Sequence, residues 1–241
     1  MTQREAAIQQ LKALKGKPLK YKVKHIFTYY KLPIIALVLA VFIAVSCVSQ
    51  LASAKSTVLH VYCLDASVVQ EEEGSFLLEL SRAVGVDQNK EKIEVTAKLD
   101  LQDELYEGEA LAAQIIGGMI DVLAFDEELS LQWLYQDVFA DLSEVLTAEQ
   151  QEMYKDYFLY VDAAVMDKTD SLGELQGTLV FPNPTKPEEM ERPIPVAIRL
   201  ADNAEFANIF FLDRKGTVVI GIVANAPNPE NAVLFLDYVT Q

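Results

Sequence analysis

Residues 217–224 read Thr-Val-Val-Ile-Gly-Ile-Val-Ala, an apolar run built largely from β-branched residues. Successive side chains of a strand point to opposite faces, so valine and isoleucine would occupy both faces here. A strand that is apolar on both faces belongs inside a sheet that other elements cover on both sides. The run therefore predicts an α/β fold with a buried strand, in which Gly221 allows a neighbouring element to approach closely.

The residues upstream of this strand alternate between strand patterns and helix patterns. Strands are predicted at 57–64, 92–99 and 120–125, and helices at 75–84, 104–119 and 127–135. Strands that alternate with helices form parallel sheets with right-handed crossovers. We expect the first of these strands to lie between the second and the third.

Beyond residue 137 the pattern is less regular. Thr147 is a good N-cap for a helix over 148–156, and Asp202 for a short helix through Phe210. Proline suits the first position of a helix, so Pro229 should open the last helix. Residues 71–73 predict an acidic loop, residues 158–165 and 194–200 predict strands, and residues 173–191 predict a loop with a short strand at 178–181.

An uncharged apolar segment precedes all of these elements. Residues 33–54 contain no Asp, Glu, Lys or Arg, and about 20 apolar residues suffice for a helix to cross a bilayer. Of the 20 basic and 36 acidic residues, eight and one lie in 1–32, which therefore carries +7 and leaves −23 to the rest. The positive-inside rule then predicts a single-pass membrane protein with 1–32 in the cytoplasm and 55–241 outside it.

Two processing alternatives remain open for this segment. Residues 44–47, Ala-Val-Ser-Cys, are similar to a lipoprotein cleavage box with Cys47 as the lipidated residue, and residues 52–54 match the small-x-small pattern of signal peptidase. Complete signal peptides span only about 15–30 residues, so the long basic leader favours an uncleaved anchor. The leader itself is either an interfacial helix on anionic lipid or a disordered tail.

Three segments resemble parts of bacterial extracellular solute-binding proteins. Residues 117–123, Gly-Gly-Met-Ile-Asp-Val-Leu, are similar to their helix–Gly–x–x–Asp–Val–strand signature, and residues 138–146 resemble their recurring Asp-Leu-Ser turn. Residues 219–225 with 231–238 resemble their closing strand and helix. Residues 27–33 are similar to the tails of membrane-anchored bacterial proteins that carry such a domain.

This resemblance implies a periplasmic-binding-protein-like domain, type II-like, with a truncated or reduced second lobe. It also implies that the domain captures or senses a small ligand beside a transporter. The alternative is an accessory or structural subunit that uses the same fold to contact another membrane protein. A deep polar cleft would favour the first function, and a filled crevice with exposed apolar side chains the second.

Enzyme and nucleic-acid functions find no support in the sequence. It contains no Gly-x-Ser-x-Gly elbow, no His-Glu-x-x-His pair and no phosphate loop. Two distant cysteines and two histidines offer no metal-ligand spacing, so we expect no metal or cofactor. The strong negative charge repels nucleic acid. Asp121 and Asp126 flank a strand and would form an acid–base pair or, as we favour, Asp121 would cap the helix–strand junction, while we expect His60 to pack in the fold.

The topology also predicts where a ligand would bind. In open α/β sheets ligands bind beyond the carboxyl ends of the strands, at the switch point. This rule selects the loops at 65–67 and 126–128, with a later strand end facing them. Trp133 would either stack on a ring-shaped ligand or pack in the core. The candidate ligand-binding residues are Asp65, Ser67, Asp126, Glu127, Arg199 and Asp202.

Overall fold

The computed structural model describes residues 18, 31–53, 55–98, 105–127, 133–171, 180–212 and 214–240. The chain divides into two compact units, Met1–Ala54 and Lys55–Gln241.

The described residues of the first unit form the helix α1 (Lys31–Ser53), apart from residue 18. Its described side chains, at 31–32 and 34–46, are mostly apolar and exposed, with Leu37 at 66% and Phe42 at 68% exposure. In the described part of the chain, no helix combines the length and the apolar character needed to cross a membrane.

The second unit is built on a mixed sheet of six strands in the order β2-β1-β3-β6-β5-β4. Strand β1 pairs in parallel with β2 and β3, which confirms the predicted α/β class and the central place of the first strand. The β3–β6, β6–β5 and β5–β4 pairs are antiparallel. The strands are β1 (Ser56–Leu64), β2 (Glu91–Lys98), β3 (Val122–Asp126), β4 (Phe158–Asp162), β5 (Pro193–Arg199) and β6 (Val218–Ile222).

Helices cover both faces of this sheet. They are α2 (Gln70–Val84), α3 (Leu105–Ile116), α4 (Leu142–Val145), α5 (Ala148–Tyr154), α6 (Ala163–Ser171), α7 (Glu205–Phe210) and α8 (Pro229–Val239), with a 3-10 turn at Pro187–Glu189. Strand β6 contributes Ile220 to one buried cluster and Val219 to the other, which confirms that it is apolar and buried on both faces. A Cβ on Gly221 would lie 2.3 Å from the ring of Phe139, so the predicted close approach is also present.

Local capping explains where several helices begin. Thr147 and Gln150 form a capping box at the start of α5, and α8 begins at Pro229, both as predicted. Helix α2 begins at Gln70, so residues 71–73 lie in its first turn and the predicted acidic loop is wrong. Acidic side chains in a first turn are stabilised by the helix dipole.

The structure corrects two further predicted boundaries. The strand predicted over 158–165 ends at Asp162, whose Oδ1 accepts a hydrogen bond from the backbone N–H of Ala164 (2.9 Å) as α6 begins. Helix α7 has Ala204 rather than Asp202 at its N-cap, and no side chain caps it. Most of the helix predicted over 127–135 and half of the strand predicted over 178–181 lie outside the described residues, and residues 180–181 are not in a strand.

We expect Ile220→Ala to lower the free energy of unfolding of the full-length protein by about 2–5 kcal/mol, because truncation of a buried isoleucine leaves a cavity. Ile220 is 0% exposed in strand β6. Val180→Ala serves as the control, since Val180 is 85% exposed and its truncation should change stability by less than about 0.5 kcal/mol. Urea unfolding measures both variants, and small shifts in both would contradict the buried strand.

Candidate functional site

The carboxyl ends of β1, β3 and β5 meet at one edge of the sheet, which we call the carboxyl edge. In the antiparallel registers, Asp126 lies opposite Val218, and Arg199 lies opposite Val219. The ends of β3 and β5 are therefore separated only by strand β6. All six candidate ligand-binding residues end or follow one of these three strands, so the topology brings them to the same edge.

The carboxylate of Asp126 accepts hydrogen bonds that hold the turn before β6 at this edge. Asp126 is 8% exposed, and its Oδ2 accepts hydrogen bonds from the backbone N–H groups of Lys215 (2.7 Å) and Gly216 (3.1 Å). A Cβ on Gly216 would lie 2.9 Å from Asp126 Oδ1, so the close approach requires glycine. Asp126 thus fastens the turn that leads into β6.

The crevice expected beside Asp65 and Ser67 is filled by protein. Asp65 is exposed and adopts a left-handed φ of 51°, which aspartate tolerates better than most residues. The carbonyl of Ser67 accepts a hydrogen bond from the N–H of Leu212 (3.2 Å), and the N–H of Val69 donates to the carbonyl of Ile209 (2.8 Å). These bonds tie the loop after β1 to the segment that carries α7.

Phenylalanine rings from α7 complete this filling. The ring centroids of Phe206 and Phe210 lie 5.9 and 5.5 Å from that of Phe76 on α2. All three rings belong to the same buried cluster as Ala66, which follows β1 directly. A cleft between two lobes, as the resemblance implies, is therefore not found at the switch point among the described residues.

Asp202 is exposed, and its backbone rather than its carboxylate is engaged. Its carbonyl accepts a hydrogen bond from Arg214 Nη2 (2.9 Å), which also bonds Asn208 Oδ1 (2.8 Å). Arg214 Nη1 donates to the carbonyls of Ala207 (2.9 Å) and Phe211 (3.2 Å). Sequence reasoning did not single out Arg214, because all four acceptors are defined only by the folded loop.

Arg199 differs from Arg214 in that the described residues do not satisfy all of its donors. Its Nη1 lies 4.0 Å from Glu127 Oε1, and the two side chains are 33% and 36% exposed. Its Nε is buried and has no hydrogen-bond partner among the described residues. A buried N–H group without an acceptor costs about 1–3 kcal/mol of stability, so an acceptor that reached this atom would remove that cost.

Two cavities that share lining residues open at this edge, and we call them together the edge groove; Arg199 lines only the smaller. The smaller, about 110 Å³, is lined by Met153, Tyr154, Tyr157, Arg199, Ala201 and Thr240. The larger, about 380 Å³, shares Ala201 and Thr240 with it and extends to Phe76, Glu205 and Tyr238. Sites for small molecules commonly occupy about 300–1,000 Å³, a range that the larger cavity reaches and the smaller one, lined by Arg199, does not.

A hydrogen-bond network at the end of α8 fixes the wall of the groove. The hydroxyl of Tyr154 donates to Asp237 Oδ1 (2.6 Å), and Gln150 Nε2 donates to the same carboxylate (2.9 Å to Oδ2). Thr240 Oγ1 lies 3.3 Å from the Tyr154 hydroxyl. Burial, together with the hydrogen bond to Asp237, raises the pKa of Tyr154 to about 12, so its phenol stays neutral and bound in the wall.

The remaining sequence candidates serve the fold. Asp121 is fully buried and accepts hydrogen bonds from the N–H groups of His60 (2.8 Å) and Asn228 (2.6 Å), so its carboxylate ties β1 to the start of α8 rather than capping the junction between α3 and β3. It lies at the opposite end of β3 from Asp126, so the two do not form an acid–base pair. Both ring nitrogens of His60 are bonded, to the Met119 carbonyl (2.8 Å) and Thr96 Oγ1 (3.0 Å).

Trp133 packs against the buried cluster that contains Val219 and does not line the edge groove. Over the described ranges, no group of three or more His, Cys, Asp and Glu side chains has the geometry of a metal site.

Neither the comparison with protein-family models nor the comparison with curated proteins finds a match for this chain. The residues that line the edge groove are therefore the basis on which a function can be assigned to it.

We expect the stabilising effect of the Tyr154 phenol to disappear in alkaline solution. Tyrosine ordinarily has a pKa of about 10, and the folded protein raises it to about 12, so the contribution is complete below pH 10 and is lost as pH rises through 12. The difference in unfolding free energy between wild type and Tyr154→Phe should shrink across this window. Urea unfolding at graded pH measures it, with Tyr157→Phe at the exposed rim as the control; an equal shrinkage in both variants would contradict the assignment.

Proposed function

We propose that this chain is a membrane-anchored binding module that captures or senses a small ligand in the edge groove, beside a transporter or another protein of the bacterial cell membrane. The observation that carries the proposal is the pair of cavities at the carboxyl edge, of about 110 and 380 Å³, of which Arg199 lines the smaller. Concave sites with apolar walls and a few polar groups are where proteins commonly bind small molecules.

The anchor is proposed from the sequence of residues 33–54. That segment carries no charged side chain, and about 20 mostly apolar residues suffice for a helix to cross a bilayer. The excess of lysine and arginine in 1–32 supports a cytoplasmic N-terminus. Residues 55–241 would then lie outside the cell membrane, where their charge of −23 aids solubility.

The site we propose is preformed rather than closed by a hinge. Residues 55–241 form one compact unit, and aromatic side chains of α2 and α7 fill the crevice at the switch point. A ligand would therefore enter the groove at the C-terminal end of α8 without movement of two lobes. This arrangement suits a module that presents or senses a ligand rather than one that encloses it.

Exposed side chains at the rim favour a second candidate function. Met153 and Tyr157 are 60% and 47% exposed beside Arg199, and methionine, tyrosine and arginine are enriched at protein interfaces. Together with the filled crevice, they support an accessory subunit that contacts a membrane protein through this edge. The two functions differ in what occupies the groove, a small molecule or a side chain of the partner.

We expect Ala201→Trp to abolish small-molecule binding by the full-length protein, because an indole at this exposed position, shared by both cavities, would fill the groove. Ala112→Trp on the exposed face of α3 is the matched control. Ligand-observed NMR with a panel of short carboxylates, amines, sugars and nucleosides measures binding. A panel in which no compound distinguishes the two variants would overturn the binding function.

The accessory function predicts a protein neighbour at the rim. A photo-crosslinking residue at Met153 in intact cells should form an adduct with one membrane protein, identified by mass spectrometry, whereas the same residue at Leu78, 41% exposed on α2, should not. Equal labelling from both positions would mean nonspecific contact and would count against this candidate.

A further inference from the structure

We infer that the outer side of strand β2 is an interface at which two copies of this chain pair in antiparallel orientation, about a two-fold axis through Ile93. The inference goes beyond the proposed function, because it concerns assembly and does not involve the edge groove.

The two strands at the ends of the sheet differ in what lies along their outer sides. At β4 the carbonyl of Pro184 accepts a hydrogen bond from the backbone N–H of Tyr160 (2.8 Å), so the segment before β5 occupies part of that side. Strand β2 pairs with β1 on one side, and the described residues place no backbone partner on its other side. An edge strand of this kind presents a row of N–H and C=O groups with which another strand can pair.

The charges of β2 are complementary to themselves. Lys92 and Glu94 flank Ile93 in the strand, and their side chains are 46% and 42% exposed. In an antiparallel pair about a two-fold axis through Ile93, Lys92 of each copy lies opposite Glu94 of the other. Opposite charges that face each other across two strands stabilise a sheet, and this pairing contains two such pairs.

The same charges disfavour the adjacent registers. An axis through Lys92 would place two lysines opposite each other, and an axis through Glu94 would do the same with two glutamates. Like charges directly opposite are destabilising. Charged side chains on an edge strand ordinarily prevent sheets from pairing, but here their order permits one register while it opposes its neighbours.

The other face of β2 supplies apolar surface to the same contact. Ile93, Val95 and Ala97 are half-buried and pack against the buried cluster that contains Ile220. Directly opposite residues of an antiparallel pair have Cβ atoms about 4.5–5.5 Å apart, so the two copies of Ile93 would contact each other at the axis. Pairing would therefore bury apolar surface that a single copy leaves partly exposed.

The first test is disulfide cross-linking of the full-length protein in detergent, in a Cys47→Ser background that retains the buried Cys63. Ile93→Cys should form a covalent dimer under a mild oxidant, because its two copies lie opposite each other. Val95→Cys on the same face is the matched control. It would lie opposite Glu91 of the other copy, roughly 13 Å along the strand from its own counterpart, and should not cross-link.

The second test reverses the charges and measures self-association by analytical ultracentrifugation. Lys92→Glu should weaken association about 10-fold, because both cross-strand pairs change from attraction to repulsion. Combining Lys92→Glu with Glu94→Lys restores opposite charges and should restore association. Lys155→Glu, just after α5, makes the same change in net charge away from β2 and should associate as wild type does.

Several results would overturn the inference. They are a wild-type protein that stays monomeric throughout the concentration series, no cross-link from Ile93→Cys or an equal one from Val95→Cys, and a double charge variant that associates no better than Lys92→Glu. Urea unfolding checks that each variant is folded. The charge variants alter exposed side chains, so they decide the question even where Ile93→Cys is destabilised.

Discussion

The antiparallel pairing of β6 with β3 is the constraint on which the rest of the domain depends. It joins the parallel half of the sheet, β2-β1-β3, to the antiparallel half, β6-β5-β4. Buried carboxylates bracket the pair, since Asp126 holds the turn before β6 and Asp121 holds the chain that follows it. Because a buried carboxylate is stable only when it is hydrogen-bonded, the same two residues that need these partners also fix the register.

This pairing also determines the position and form of the candidate site. With β6 inserted between β3 and β5, the ends of the latter two strands face the same edge, and Glu127 and Arg199 lie near each other. The chain from β5 to β6 begins and ends at that edge, and it includes α7. The aromatic side chains of α7 fill the switch-point crevice, so the open space lies instead beside the C-terminal end of α8.

The described polar side chains of this domain differ in whether their hydrogen-bonding groups find partners within the fold. Asp121, Asp126 and Asp162 are nearly inaccessible, and each accepts at least two backbone N–H groups. Arg214 is similarly committed. Arg199 keeps a buried donor without a partner among the described residues, and such local departures from full satisfaction are where function is expected.

The sequence by itself determined the α/β class, the two-sided burial of β6, the β2-β1-β3 order and the Thr147 and Pro229 helix starts, because periodicity and capping act over a few neighbouring residues. It also located the edge at which Arg199 and Glu127 meet, since strand direction decides which ends coincide. Only the tertiary structure decided that the carboxylate of Asp126 is hydrogen-bonded within the fold, that α7 fills the crevice and that Arg199 Nε has no hydrogen-bond partner in the described part of the chain. Those outcomes depend on side chains far apart in the chain, and no local pattern encodes which of them come into contact.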